Sequence, residues 1–182
     1  VILQQLRDLL LAGVFDRSYS GSLAFLLQAF YRTASGVRAR LSVDSWRIVN
    51  QLELDTLHPA RTQPARLADI LLMLNQLLNL LTAFGGLGTE SMTRGPGWRF
   101  LDMGRRIERA TQILGLVRRT LVDPCPQLTS LLEAILEIAD SSMTYRNRYL
   151  ASLQFAPLLD LVLIDETNPR AVGFQLNALS EH

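Results

Sequence analysis

Apolar residues recur every three or four positions along most of this chain, which is the spacing of one face of an α-helix. The clearest case lies between residues 97 and 121, where the intervals alternate 3 and 4 along a stripe of seven residues: Phe100, Met103, Ile107, Ala110, Leu114, Val117 and Leu121. The alternation typical of a half-buried β-strand does not stand out. The pattern predicts an all-α fold, a multi-helix antiparallel bundle with this stripe in its core.

Proline, glycine and small polar residues divide the pattern into about seven to eight helices. Ser42 is the expected N-cap of the third helix, Pro96 opens the fifth, and Asp123 caps the sixth. The 182 residues fit one domain, 1–182, whose clearest linker is 54–65 with its two prolines. The expected helices cover about 1–12, 21–41, 42–54, 64–84, 96–121 and 123–150, with two short ones opened by Pro157 and by Asn168–Pro169.

Composition excludes several classes of chemistry. All 18 basic residues are arginine, so the chain offers no lysine nucleophile, Schiff-base lysine or P-loop lysine. One cysteine, Cys125, and two scattered histidines argue against a metal site and against a Ser-His or Cys-His nucleophile. A net charge of +1 gives no general case for nucleic acid or an anionic membrane as a partner. No cofactor is expected.

Two apolar segments bear on location and assembly. The run 67–84 contains Asp69 and three polar amides that would be costly in lipid, so we expect a buried bundle helix, no membrane partner and a cytoplasmic protein. The chain opens abruptly on an apolar helix, without a visible signal peptide, and is expected to be part of a longer domain. An apolar face left open by missing helices would favour a homodimer.

The segment 89–110 combines a Gly-Pro-Gly turn, a tryptophan and a dense group of charges. Asp102 lies three residues before Arg105 and four before Arg106, spacings that permit intrahelical ion pairs. Two interpretations stay open: an interhelical ion-pair network, or a ligand or partner site in which arginines hold a carboxylate or phosphate. The candidate residues of this segment are Glu90, Arg94, Trp98, Asp102, Arg105, Glu108 and Arg109.

Two further polar groups have ordinary explanations as well as functional ones. Arginines late in the sixth helix would stabilise the negative end of its macrodipole. Acidic residues before Asn168 would stabilise the positive N-terminal end of the next helix, which Asn168 would cap. If both groups faced the fifth helix, the three segments would form one acidic and basic pocket. The candidates added by these groups are Asp140, Tyr145, Arg146, Asp165, Glu166 and Arg170.

Four segments in order resemble one known family. They are SGVRARLSVDSWRIVNQL, ESMTRGPGWRFLDMGRRIERA, ADSSMTYRNRYL and LDLVLIDETNPRAVGFQLNAL. The resemblance as a whole covers about Gly21 to Leu179. The family is the bacterial alpha-E domain, an all-helical domain of unknown molecular function. Members usually begin with a further N-terminal portion that is absent here, so the resemblance implies the C-terminal part of that domain.

The resemblance indicates which proteins this domain works with, but it does not assign a reaction to the domain or a catalytic role to any residue. Alpha-E domains typically occur beside, or fused to, a circularly permuted ATP-grasp protein, often with a transglutaminase-like protein nearby. The expected function is a helical accessory or substrate-binding domain that works with an ATP-grasp-type ligase in peptide or amide bond formation or processing. Two alternatives are a stand-alone acid–base enzyme using Glu108 with Asp165 or Glu166, and a purely structural interaction domain.

Overall fold

A computed structural model of the protein describes residues 2–57, 67–121, 127–149 and 152–182. These residues contain nine α-helices and no β-strand, so the prediction of an all-α bundle is confirmed. They divide into two compact units, Val1–Thr93 and Arg94–His182, and the single domain expected from sequence stays a prediction. The predicted cap at Asp123 and most of the predicted linker lie outside the described residues.

The first unit is built from four helices: α1 (Ile2–Phe15), α2 (Leu23–Gly36), α3 (Val43–Leu57) and α4 (Leu67–Ser91). Serines begin two of them. The Ser22 hydroxyl accepts a hydrogen bond from the Phe25 N–H at 3.1 Å, and the Ser42 hydroxyl accepts one from the Ser45 N–H at 3.1 Å. The predicted cap at Ser42 is therefore present. Leu27, Leu52 and Leu77, one residue from each of three helices, form the core of this unit.

Helix α4 differs from the prediction in length and in burial. It continues through Gly85, Gly86 and Gly88 to Ser91, because none of its glycines adopts a positive φ that would end the helix. Its buried residues are Ile70 and Leu77, whereas a second row of leucines is exposed, so the expected buried bundle helix is buried along one side only. Among the described residues, α4 is the one helix whose length and apolar composition would suffice to cross a membrane.

The second unit contains five helices: α5 (Pro96–Thr120), α6 (Leu128–Ile138), α7 (Ser142–Tyr149), α8 (Phe155–Leu159) and α9 (Val172–Ser180). Its core brings apolar residues of α6, α8 and the following π-helical turn (Asp160–Ile164) around the buried ring of Tyr145. Pro96 occupies the first turn of α5, as predicted. This unit carries most of the candidate site residues.

The apolar stripe of α5 is only partly a core stripe. Phe100, Ile107 and Leu114, seven residues apart, are 72%, 55% and 51% exposed. Ala110 is buried, and so is the charged Asp102. The expectation that the whole stripe lies in the core was therefore wrong. Periodicity located the apolar side of the helix, but α9 packs on a side that includes Asp102.

The long sixth helix expected over 123–150 is two helices with a turn at Ala139–Ser141. Asp140 has a φ of 48°, in the left-handed region that ends a helix. The buried Ser141 hydroxyl accepts a hydrogen bond from the Asn168 amide at 3.1 Å, which ties this turn to the loop before α9. No glycine or proline marks the turn in the sequence, and this is why periodicity missed it.

Asn168 caps a turn and not a helix. Its side-chain oxygen accepts a hydrogen bond from the Arg170 N–H at 3.1 Å, and its amide also donates to the Leu161 carbonyl at 3.0 Å. Helix α9 begins later than predicted, at Val172. Its second residue, Gly173, faces the π-helical turn at very short range: a Cβ there would lie 2.4 Å from the Ile164 carbonyl oxygen.

We predict that Gly173→Ala destabilises the second unit by about 2 kcal/mol, because the added methyl group meets backbone and the helix must move. Urea unfolding followed by Trp98 fluorescence in a Trp46→Phe background measures this, since each unit contains one of the two tryptophans.

The matched control is Gly104→Ala in α5, where a Cβ meets nothing within 4 Å. This substitution should stabilise the helix by about 0.5–1 kcal/mol, the usual gain of alanine over glycine in a helix interior. Equal effects of the two substitutions would contradict the close approach of α9 to the π-helical turn.

Candidate functional site

Asp102 is the buried centre of the polar residues on α5. Its side chain is 2% exposed and receives three basic groups. Arg105 donates to one carboxylate oxygen at 2.7 Å, and Arg106 donates to the other at 2.6 Å. The His182 ring nitrogen Nε2 lies 2.8 Å from that second oxygen. The spacing in sequence predicted the two arginines, but not the histidine eighty residues away.

These contacts determine the charge state of Asp102. Burial alone would raise the pKa of its carboxyl group, because a charged group is less stable away from water. Hydrogen bonds from His182, Arg106 and Arg105 outweigh burial and lower the pKa to about 2. Asp102 is therefore an ionised structural acceptor near neutral pH, unsuited to act as a general acid.

An aromatic pair extends this centre toward the start of α5. The rings of Trp98 and His182 have centroids 5.3 Å apart, and the Arg94 guanidinium lies 4.3 Å from the Trp98 ring centroid. Arg99 donates to the His182 backbone carbonyl at 3.2 Å. The His182 side chain, 8% exposed, is thus held between Trp98 and Asp102. These contacts explain why a tryptophan occurs beside charges on this helix.

Four arginines form a group next to Asp102: Arg105, Arg106, Arg109 and Arg170, here called the arginine cluster. Arg109 is its central member. Burial lowers the pKa of its guanidinium, and the positive charges of the other three lower it further, while Asp102 acts in the opposite direction. An environment that disfavours the charge of an arginine so consistently is unusual for a solvated helix face.

The arginine cluster has more donors than acceptors. Asp102 pairs with Arg105 and Arg106, and Asp140 accepts from Arg170 at 2.6 Å. Arg109 makes no hydrogen bond or ion pair with any residue that the structure describes, and the buried Nε of Arg105 also lacks a partner there. Four guanidinium groups thus face two carboxylates within this part of the chain. Such a group is suited to bind an anion.

Arg170 brings a second candidate segment to the cluster. It follows Asn168, whose buried side chain fixes the loop, and it reaches back to Asp140 in the turn between α6 and α7. Of the residues expected in a pocket of three segments, Asp140 and Arg170 thus lie beside residues of α5, and a pocket formed by all three segments stays a prediction.

Other acidic candidates lie apart from the cluster. Glu108 is exposed and accepts a hydrogen bond from Gln112 at 2.8 Å. Asp165 pairs with Arg148 and accepts from the Thr167 N–H at 2.8 Å, and Glu166 is exposed without a hydrogen bond among the described residues. Glu90 belongs to the first unit. No contact links Glu108 with Asp165 or Glu166 in the described residues, so the structure offers no support for a shared acid–base pair.

Tyr145 and Arg146 of α7 also lie apart from the cluster. The Tyr145 ring is buried, and its hydroxyl accepts a hydrogen bond from the Gln154 N–H at 3.0 Å. Arg146 is exposed, and its Nε lies 3.4 Å from the Ser142 carbonyl. Tyr145 is therefore a core residue, whereas Arg146 is available at the surface.

Sequence reasoning missed two members of the site. Arg106 was recognised only as a partner of Asp102, and His182 was treated as a terminal residue. The spacing of four residues from Asp102 was a sufficient signal for Arg106. No local pattern points to His182, because its partners come from another helix. In the described residues, no group of three or more His, Cys, Asp or Glu side chains could hold a metal ion.

Comparison with known proteins identifies a matching family and similar mycobacterial proteins. A model of the Alpha-E family, described as a predicted alpha-helical domain with a conserved ER motif, matches residues 3–182. The uncharacterized proteins Rv2567 of Mycobacterium tuberculosis and Mb2597 of Mycobacterium bovis are each 33% identical over 171 residues. The match covers 90% of this chain, which spans about a fifth (19%) of the length of these curated relatives. No solved structure matches the chain.

The sequence contains a single Glu-Arg dipeptide, Glu108–Arg109. Read as two adjacent residues, the ER motif of the family description matches this pair. Its two residues have different surroundings: Glu108 is exposed to solvent, and Arg109 lies within the arginine cluster.

We predict that Asp102→Asn lowers the free energy of unfolding of the second unit by about 2 kcal/mol at pH 7, given a pKa lowered to about 2. A lowered pKa gives stability that is present above the ordinary value of 3.8 and is lost as the pH falls toward about 2. The variant should therefore also depend less on pH between about 5 and 2, measured by urea unfolding at several pH values.

Glu108→Gln is the control on the same helix, since this carboxylate is exposed and accepts a hydrogen bond from Gln112. Its effect should stay within about 0.5 kcal/mol. A pH dependence as steep in Asp102→Asn as in the unchanged protein would contradict the role of this carboxylate.

Proposed function

Because the chain belongs to the Alpha-E family, we propose that it is a helical substrate-binding or accessory domain that acts with an ATP-grasp-type ligase in peptide or amide bond formation or processing. In this proposal the arginine cluster binds an anionic group of the substrate, a carboxylate or a phosphate. The domain itself is a non-catalytic, cytoplasmic partner.

One observation supports this proposal above the others: Arg109 has no hydrogen-bond or ion-pair partner among the described residues, although burial and three neighbouring arginines disfavour its charge. A purely structural network would be expected to match each partly buried guanidinium with an acceptor. An anion contacting Arg109 would supply the missing acceptor and would offset the repulsion between the arginines.

The rest of the site fits an anion of planar or tetrahedral shape. Guanidinium groups bind carboxylate or phosphate oxygens through paired N–H donors. The buried Nε of Arg105 is a further donor without an acceptor among the described residues. Asp102 fixes the positions of Arg105 and Arg106 before any ligand arrives, which lowers the entropic cost of binding.

The partners in this proposal rest on the family resemblance. Alpha-E domains, which this chain resembles, typically occur beside or fused to ATP-grasp proteins. The curated relatives are about five times as long as the matched segment, so in them the domain is one part of a larger protein. An ATP-grasp-type protein, in cis or in trans, is therefore the first proposed partner, and a transglutaminase-like protein is the second.

We predict that the chain binds inorganic phosphate or a peptide with a free carboxylate, and that Arg109→Gln weakens this binding at least about tenfold, because a hydrogen bond between charged groups typically accounts for this much affinity. Isothermal titration calorimetry would use phosphate, N-acetyl-glycyl-glycine and its amide, which lacks the carboxylate. The first two probes distinguish a phosphate site from a carboxylate site.

Arg118→Gln is the matched control, because it removes the same charge from an exposed position near the other end of α5. It should bind as the unchanged protein does. Equal losses in both variants would indicate a general charge effect, and the absence of binding of either anion would contradict the site.

The partner is tested separately, by capture from a lysate of the source organism on the longest natural form of the protein, with Arg105→Ala/Glu108→Ala as the comparison. Recovery of an ATP-grasp protein by the unchanged chain supports the partner. If no ligase is recovered, the partner is contradicted even where the anion titration succeeds.

A further inference from the structure

A cavity lies in the same unit as the arginine cluster, where α6 and α7 meet. Its volume is about 430 Å³, within the range of small-molecule pockets. Helix α6 contributes Glu133, Leu136 and Glu137 to its lining, and α7 contributes Ser142, Tyr145 and Arg146. The remaining lining residue is Leu153. None of these residues belongs to the arginine cluster.

The two glutamates of this cavity lie one helical turn apart on α6. Like charges at this spacing repel each other, so a helix gains nothing from the pair by itself. Glu137 accepts a hydrogen bond from the Ser142 hydroxyl at 3.2 Å, and Glu133 has no hydrogen bond or ion pair in the described part of the chain. No arginine among the described residues forms an ion pair with either carboxylate.

Arg146 adds the opposite charge to the same cavity. Its Nε lies 3.4 Å from the Ser142 carbonyl, a long hydrogen bond, and within the described residues it forms no ion pair with Glu133 or Glu137. Three charged groups of both signs thus line one cavity and leave one another unpaired. The buried side chains of Leu136 and Tyr145 supply apolar surface beside them.

We propose that this cavity binds a free amino acid with an apolar side chain. The ammonium group would contact the carboxylates of Glu133 and Glu137, and the carboxylate would contact the Arg146 guanidinium. The apolar side chain would cover Leu136 and Leu153. A simple anion fits the cavity poorly, since its two acids exceed its one base.

The proposal is tested by titrating the full ¹⁵N-labelled chain with three related probes and following backbone amide shifts in NMR spectra. L-leucine carries both charges, L-leucine amide lacks the carboxylate, and N-acetyl-L-leucine lacks the ammonium group. Because the charged groups are exposed to solvent, we expect L-leucine to bind with a Kd of about 1 mM and to shift residues of α6 and α7. L-leucine amide should bind more weakly, and N-acetyl-L-leucine weakest.

Variants of the charged residues test which side chains bind the ammonium group of the ligand and which binds its carboxylate. Glu133→Gln/Glu137→Gln should weaken L-leucine and L-leucine amide alike, by about tenfold, because both probes keep the ammonium group. Arg146→Gln should weaken L-leucine to the level of L-leucine amide and leave the amide unaffected. Glu181→Gln, which removes an exposed carboxylate outside the cavity, should change neither.

Three results would overturn the proposal: no saturable shifts with L-leucine, N-acetyl-L-leucine binding as tightly as L-leucine, or shifts confined to α5 and α9. Circular dichroism of each variant confirms that the helices are intact, and the exposed positions of the substituted side chains make this the expected result.

Discussion

The buried carboxylate of Asp102 is the interaction on which the second unit depends. Its three basic partners come from both ends of this unit's sequence: Arg105 and Arg106 follow it on α5, and His182 lies just after α9. A buried charge is stable only when it is paired, so this carboxylate requires α9 to pack on this side of α5. The same contacts place Arg109 among the other arginines, and the candidate site is thus a consequence of how the fold neutralises one aspartate.

The second unit contains two polar regions of opposite character. The arginine cluster has four guanidinium groups for two carboxylates, and the cavity between α6 and α7 has two carboxylates for one guanidinium. The turn that contains Asp140 lies between them, since Asp140 pairs with Arg170 and Ser142 hydrogen-bonds to Glu137. The two proposed sites would bind an anionic group and a free amino acid, respectively.

Much of the fold followed from local patterns, and much of the site did not. Periodicity identified the helices, and spacing on α5 identified the pairing of Asp102 with Arg105 and Arg106. The break at Asp140 was missed because an aspartate adopts a left-handed conformation there in place of glycine. His182 was missed because contacts across eighty residues depend on packing, which the order of residues does not reveal. Phe100 belongs to the apolar stripe of α5 and yet is exposed, so periodicity did not predict which apolar side chains are buried.

The close contact at Gly173 has a consequence for which sequence changes the fold tolerates together. The π-helical turn at Asp160–Ile164 accommodates one residue more per turn than an α-helix does, and its last carbonyl points to the place where a Cβ of residue 173 would lie. Deleting one residue from this turn would restore the regular helical pitch and move that carbonyl away. Among related sequences, the length of this segment and the presence of glycine nine positions later should therefore change together.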